Sequence, residues 1–175
     1  ALSDEEVEHE DRQGSLWRFA YPDADGSGEV VVATTRPETM LGDTAVAVHP
    51  EDERYRDHIG KRLVHPFFPE REFSLIADDY VDPAFGTGAV KITPAHDPND
   101  FEMGQRHQLE SISIFTFDGR VNERGGDFAG LDRYEARAAI KRELETLGWT
   151  RGEEQISHSV SVSQRSGVAV EPMLS

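Results

Sequence analysis

The apolar residues of this chain come in short runs separated by Gly, Pro and Asp, and this spacing constrains the fold more than any other feature. Runs of about four to eight such residues suit strands, and none approaches the roughly 18 needed to cross a membrane as a helix. Residues 15–21 alternate apolar with polar side chains, the period of a half-buried strand. Residues 22–28, rich in Asp and Gly, read as a turn, and the Val-dense 29–35 reads as a strand buried on both faces. Further short strands are expected at 43–48, 73–77, 89–93, 111–117, 157–163 and 168–170. The RPETMLG segment at 36–42 reads as an ordered loop or single turn, and 61–72, with its prolines, as loop with strand pieces.

Helices are fewer. The strongest pattern is 132–147, where Asp132 and Glu135 have the spacing of a capping box. Ala136, Ile140, Leu144 and Leu147 share one face, and Gly148 is a natural stop. Shorter helices are expected at 51–57 and 98–107. Many short strands with a few flanking helices predict an α+β fold centred on a curled sheet or β-barrel-like core. At 175 residues, with no internal repeat and no long linker, residues 1–175 read as one domain, with 1–14 as an acidic lead-in.

Acidic residues number 34 against 18 basic, for a net charge of -16. That balance argues against autonomous binding to a phosphate backbone, which Lys and Arg drive. Cysteine is absent, which excludes disulfides, thiolate metal sites and a cysteine nucleophile. The acidic N-terminus lacks the basic-then-apolar order of a signal peptide, so a cytoplasmic setting is the expectation.

Two segments have the residue types of a site. At 30–43 an apolar strand empties into Thr34, Thr35, Arg36, Glu38 and Thr39, where a rigid scaffold can hold polar side chains against a cleft. A plain strand end, with Arg36 paired to Glu38, explains the same residues. At 85–107, Gly86 and Gly88 permit close backbone approach, yet the segment has neither Walker nor dinucleotide spacing. Asp97 can cap a helix with Pro98 at its first position, and Asp100 falls at the capping-box position. The functional alternative turns the Asp100 carboxylate toward a substrate ammonium. A metal set of His96, Asp97, Asp100 and His107 lacks any recognised ligand spacing, so no metal is expected. His9, His49, His58, His65 and His158 stand singly in polar stretches and read as surface or loop residues. No GxSxG marks a serine nucleophile.

TTRPETMLGDTAVAVHP at 34–50 and GTGAVKITPAHDPNDFEMGQRH at 86–107 closely resemble the editing insertion (connective polypeptide) of valyl-tRNA synthetase, a class I aminoacyl-tRNA synthetase. The likeness covers nearly the whole chain, with 164–175 similar to the exit strand that returns to the aminoacylation domain. The run Lys91-Ile92-Thr93-Pro94, the GQRH at 104–107 and TRPETMLGD resemble the valyl branch more than the isoleucyl or leucyl branches. The resemblance implies hydrolytic proofreading of threonyl-tRNA(Val) by a positioned water, and leaves open whether threonyl-adenylate is also a substrate. It implies no cofactor in this domain, since ATP and Mg serve the parent enzyme elsewhere. The implied partners are the aminoacylated 3′ end of tRNA(Val) and the rest of the synthetase chain, with no DNA and no membrane.

By the same resemblance Asp100 anchors the substrate ammonium, and Lys91 and Thr93 stand with it as the catalytic set. Asp97 lies in the pocket beside them. Thr34, Thr35, Arg36 and Thr39 form the wall that holds the terminal adenosine and aminoacyl group, and Phe85 is a wall or adenine-side contact. Three other readings stand beside this one. The domain could bind aminoacyl-adenosine and need the whole synthetase for hydrolysis, be the editing domain of an isoleucyl or leucyl enzyme, or serve as a spacer, with no cleft between the TRPET and HDPND segments.

Overall fold

The aromatic-rich β1 (Ser15–Pro22) and the Val-dense β2 (Glu29–Thr34) build an antiparallel hairpin, with Trp17 opposite Thr34 and Tyr21 opposite Val30. The structure, a computed structural model, describes residues 14–156. The lead-in at 1–13 and the strands expected at 157–163 and 168–170 lie outside the described residues. β2 buries Val30 and Val32 and leaves Val31 and Ala33 partly covered, so it is half-buried and not buried on both faces. Its place at the edge of an antiparallel sheet explains that alternation.

The strand buried on both faces is instead β3 (Ala45–Val48), the centre of a second sheet. It pairs in parallel with β4 (Ser74–Ala77) and antiparallel with β5 (Val90–Ile92). Val46 and Val48 enter the main core with Phe19, Tyr21, Leu41, Phe73 and Ile140, whereas Ala45 and Ala47 pack against Val81, Ile92 and Met103. Residues 98–107 form helix α1 (Pro98–His107), and α2 (Arg133–Leu147) follows. Short 3₁₀ segments occupy Pro37–Gly42, Arg56–His58 and Glu123–Phe128. The last strand among the described residues, β6 (Thr150–Gln155), joins β1 in the order β2-β1-β6. The fold is α+β as expected, and among the described residues its β portion is two open three-stranded sheets, neither closed into a barrel.

Three local expectations are corrected. Residues 51–57 make only the 3₁₀ turn at Arg56–His58, because Asp52 Oδ1 accepts from Arg54 N at 3.1 Å and closes a local turn. Residues 111–117 form no strand beyond a single bridge between Phe115 and Val121. Ile112 and Ile114 are buried, but Ile114 N donates to His96 Nε2 at 3.0 Å and not to a ladder. His65 is buried, 1% exposed, among the rings of Tyr21, Phe68 and Phe73, with Nε2 at 2.8 Å from Met40 O. Burial pushes its pKa down to about 3, so it packs as a neutral ring. Among the described residues no helix is long and apolar enough to cross a membrane.

The capping box of α2 is complete. Asp132 Oδ1 accepts from Tyr134 N and Glu135 N, both at 2.8 Å, and Glu135 Oε1 accepts from Asp132 N at 3.1 Å. Gly148 stops the helix at φ 81°. Ala136, Ile140 and Leu144 are buried, while Leu147, expected with them, is 45% exposed in the last turn. Asp132→Ala is therefore expected to lower stability by about 1 kcal/mol, read as a lower urea midpoint at unchanged slope.

Candidate active site

Among the described residues, a buried polar cluster forms where the two sheets and the 37–42 turn meet. Asp43, just past that turn, is fully buried. Tyr21 Oη from β1 donates to its Oδ2 at 2.6 Å. Thr93 Oγ1, past the end of β5, donates to its Oδ1 at 2.5 Å. Lys91 Nζ lies 2.8 Å from the same oxygen and donates to Thr39 Oγ1 and Thr93 Oγ1, each at 2.6 Å. All three ammonium protons thus have acceptors inside the protein. Burial pushes the Asp43 carboxyl above its usual range, opposed by the Lys91 charge and the Thr93 and Tyr21 hydroxyls. Arg71 Nη1 holds the loop from outside by donating to Leu41 O and Asp43 O at 2.8 and 2.9 Å.

Helix α1 brings a second carboxylate to this cluster. Asp97 caps the helix, its Oδ1 accepting from Asn99 N at 2.8 Å and Asp100 N at 3.1 Å, with Pro98 at the first position. Asp100 does not complete the expected box. Its Oδ2 turns away from the Asp97 amide and accepts from Thr93 N at 2.9 Å, tying the first turn of α1 to the end of β5. Its Oδ1 has no hydrogen-bond partner among the described residues. Burial first, then the Asp97 carboxylate, push the Asp100 pKa up to about 7, against the Thr93 amide and the Lys91 charge. The site therefore offers one carboxylate oxygen with open bonding capacity, on a group that gains stability from any cation placed beside it.

Arg36 joins the two segments that the sequence singled out. Its Nη1 reaches His96 O at 3.4 Å, its Nε lies 3.8 Å from Glu38 Oε2, and its carbonyl accepts from Thr39 Oγ1 at 2.9 Å. Thr34 Oγ1 accepts from Arg36 N at 2.9 Å. The stronger partner of Glu38 is Arg137 on α2, which holds it in a two-bond fork at 2.8 and 2.9 Å. His96 is buried, and its pKa is pushed down to about 4 by burial and then by Arg36. Its Nε2 faces the Ile114 amide, so that nitrogen is not a free base. His107 Nε2 lies against Asp78 Oδ2 at 2.8 Å, away from His96. Among the described residues no group of three or more His, Asp or Glu side chains is arranged to hold a metal ion.

Thr34, Arg36, Thr39, Lys91, Thr93, Asp97 and Asp100 thus fall into one connected network. Thr35 is exposed at the strand exit and makes no side-chain hydrogen bond among the described residues. Phe85 is 66% exposed on the 82–88 turn, which is pinned to β2 by Thr87 Oγ1 donating to Val31 O at 2.6 Å. Sequence reasoning missed Tyr21, which alternation marks only as a core residue. It also missed Asp43, which stands where a polar strand end is unremarkable. The local spacing of β1, β3 and β5 holds no signal that these three strands converge on one carboxylate.

No family model matches this chain. It is 58% identical over 175 residues to the valine--tRNA ligase of Symbiobacterium thermophilum, covering 100% of this chain and 19% of that one. The valine--tRNA ligases of Enterococcus faecalis and Synechocystis sp. are each 57% identical over 175 residues, with 20% and 19% of their lengths covered. The chain thus spans about one fifth of the curated relatives it matches. Among solved structures, the LeuRS of Agrobacterium radiobacter K84, in a ternary complex with tRNA and LeuAMS, has a TM-score of 0.61 at 20% identity. That alignment covers 88% of this chain and 22% of the other, and it shows a shared fold.

Proposed function

This chain is homologous over its whole length to one segment of the valine--tRNA ligases, and from that premise we propose that it is their hydrolytic editing domain. Its substrate is threonyl-tRNA(Val), and its product is the free tRNA with threonine. In valyl-tRNA synthetases generally, a hydrophobic valine site rejects threonine only about 10²-fold. A second site that satisfies the threonine hydroxyl and leaves polar groups unpaired around valine supplies the missing discrimination.

The observation that carries this reading is the half-used Asp100 carboxylate beside the Lys91–Asp43–Thr93 cluster. Its open oxygen suits the α-ammonium of an aminoacyl ester. The Thr39 and Thr93 hydroxyls and the Lys91 ammonium are already committed to one another, so none is a ready nucleophile. The attacking group is then water, which adds to the ester carbonyl and releases the terminal ribose hydroxyl of the tRNA. Because an ester is already activated, holding the reactants in line and stabilising developing charge suffice. Lys91 contributes as a fixed positive charge and not as a proton donor. Asp97 sets the position of Asp100 through its cap, and Thr34, Thr35, Arg36, Thr39 and Phe85 hold the terminal adenosine. The reaction needs no metal or cofactor, and its setting is the cytoplasm.

The test is deacylation of threonyl-tRNA(Val) and valyl-tRNA(Val) by the full ligase. Rapid loss of threonine alone, suppressed by Asp100→Ala, is the expected result. Equal loss of both amino acids, or a loss that ignores Asp100, would overturn the reading.

A further inference from the structure

A chain with a net charge of -16 is poorly suited to meet RNA, yet one face gathers cations and rings. Arg133, Arg137 and Lys141 recur at every fourth position of α2 and so share a face. Lys141 Nζ stands 4.3 Å over the Trp17 ring. The Arg137 guanidinium lies 5.7 Å from Trp17 and 5.2 Å from Tyr134, and that of Arg133 lies 5.6 Å from Phe115. Arg137 is neutralised by Glu38, but Arg133 and Lys141 have no ion pair with a described carboxylate. Beside them Phe117 is fully exposed and Tyr134 is 66% exposed. The two rings flank an open depression of about 500 Å³ that is also lined by Asp118, Gly119, Asp132 and Arg133.

This face adjoins the candidate site. Phe115 packs edge-on against His96 at 5.1 Å, and His96 O takes the Arg36 guanidinium. Rings and cations together suit an occupant with flat faces and negative charge. Asp118 and Asp132 line the depression and disfavour a phosphate inside it, while Asp132 already occupies the amides of the α2 N-terminus. The exposed rings offer faces on which bases can stack, and Arg133 and Lys141 offer charge to phosphates.

We infer that this face of α2 and the 116–119 turn bind the unpaired nucleotides that precede the terminal adenosine of the tRNA. Phe117 and Tyr134 stack on bases, and Arg133 and Lys141 meet the backbone. The inference rests on the editing reading above.

The test uses the full ligase carrying Phe117→Ala and Tyr134→Ala together, with two substrates. One is threonyl-tRNA(Val), and the other is threonyl-adenosine, the same ester without the upstream nucleotides. The expected result is a KM for the tRNA raised about tenfold or more at unchanged kcat, with threonyl-adenosine hydrolysed as by wild type. In parallel, Lys141→Gln lowers the slope of log KM against log salt by about 0.7, the loss of one single-strand phosphate contact. An unchanged KM for the tRNA overturns the inference. An equal loss on both substrates also overturns it, and makes the face a docking surface for another part of the ligase. Wild-type ligase that hydrolyses neither substrate overturns the editing reading itself, a result separate from either of these.

Discussion

Lys91→Met is expected to cost about 3–5 kcal/mol of folding stability at neutral pH, the usual penalty for stripping one partner from a buried ion pair. The variant leaves the fully buried Asp43 carboxylate with two hydroxyl donors and no cation. Met matches the Lys stem in length, so cavity formation adds little. Urea unfolding of the 175-residue chain reads the loss directly. Two controls separate charge from packing. Asp43→Asn combined with Lys91→Met removes both charges, and the double variant loses less than the sum of the single ones. The penalty also shrinks on acidification. Asp43 already titrates above its usual range because of burial, and removal of Lys91 raises it further. A carboxyl whose folded pKa lies above its unfolded value contributes stability below the unfolded value and loses it as pH rises through the folded one. Wild type and variant therefore converge at low pH and diverge toward neutrality.

How much of this was legible in the chain can be judged residue by residue. The two helices were, because their ends are written in local chemistry. Asp97-Pro98 starts one, and the Asp132/Glu135 pair and Gly148 bound the other. β1, β3, β4 and β5 were visible as short apolar runs. β6 was not, because TRGEEQ holds no apolar residue and owes its strand state to pairing with β1. Residues 111–117 failed in the opposite sense. They have the pattern of a strand, but the backbone amide of Ile114 goes to the His96 ring, a partner far away in sequence. For the candidate site, the resemblance singled out the motif residues, and their arrangement was not legible. Local spacing offered Asp100 as half of a capping box, and only the packing of α1 against β5 decides that Thr93 N takes that oxygen instead. Asp43 and Tyr21 show the same limit, since a long-range contact leaves no mark in the period of either strand.

On the proposed editing reading, Asp100→Asn is expected to lower kcat/KM for threonyl-tRNA(Val) by roughly 10²–10³-fold, the cost of losing a charge-assisted anchor for the substrate ammonium. The amide keeps the size of the side chain and an oxygen for Thr93 N, so the tie between α1 and β5 is retained. The pH profile gives the sharper test. With its pKa raised to about 7, Asp100 in the free protein becomes an anion only as pH passes through neutrality, so wild-type kcat/KM climbs through that range. It falls again at higher pH as the substrate amine, with a pKa of about 8, loses its own charge. The Asn variant loses the acid limb. Stability moves the other way. The folded protein holds a proton on Asp100 between about pH 4 and 7 that the unfolded chain releases, so stability is lost as pH rises across that window. Asn has no such loss, and the variant should match or exceed wild type in urea midpoint at pH 8. A variant that is far less active yet no less stable ties Asp100 to the substrate. One that loses activity only in step with stability would make its bond to Thr93 structural, and Lys91→Met, expected to unfold first, supplies the comparison.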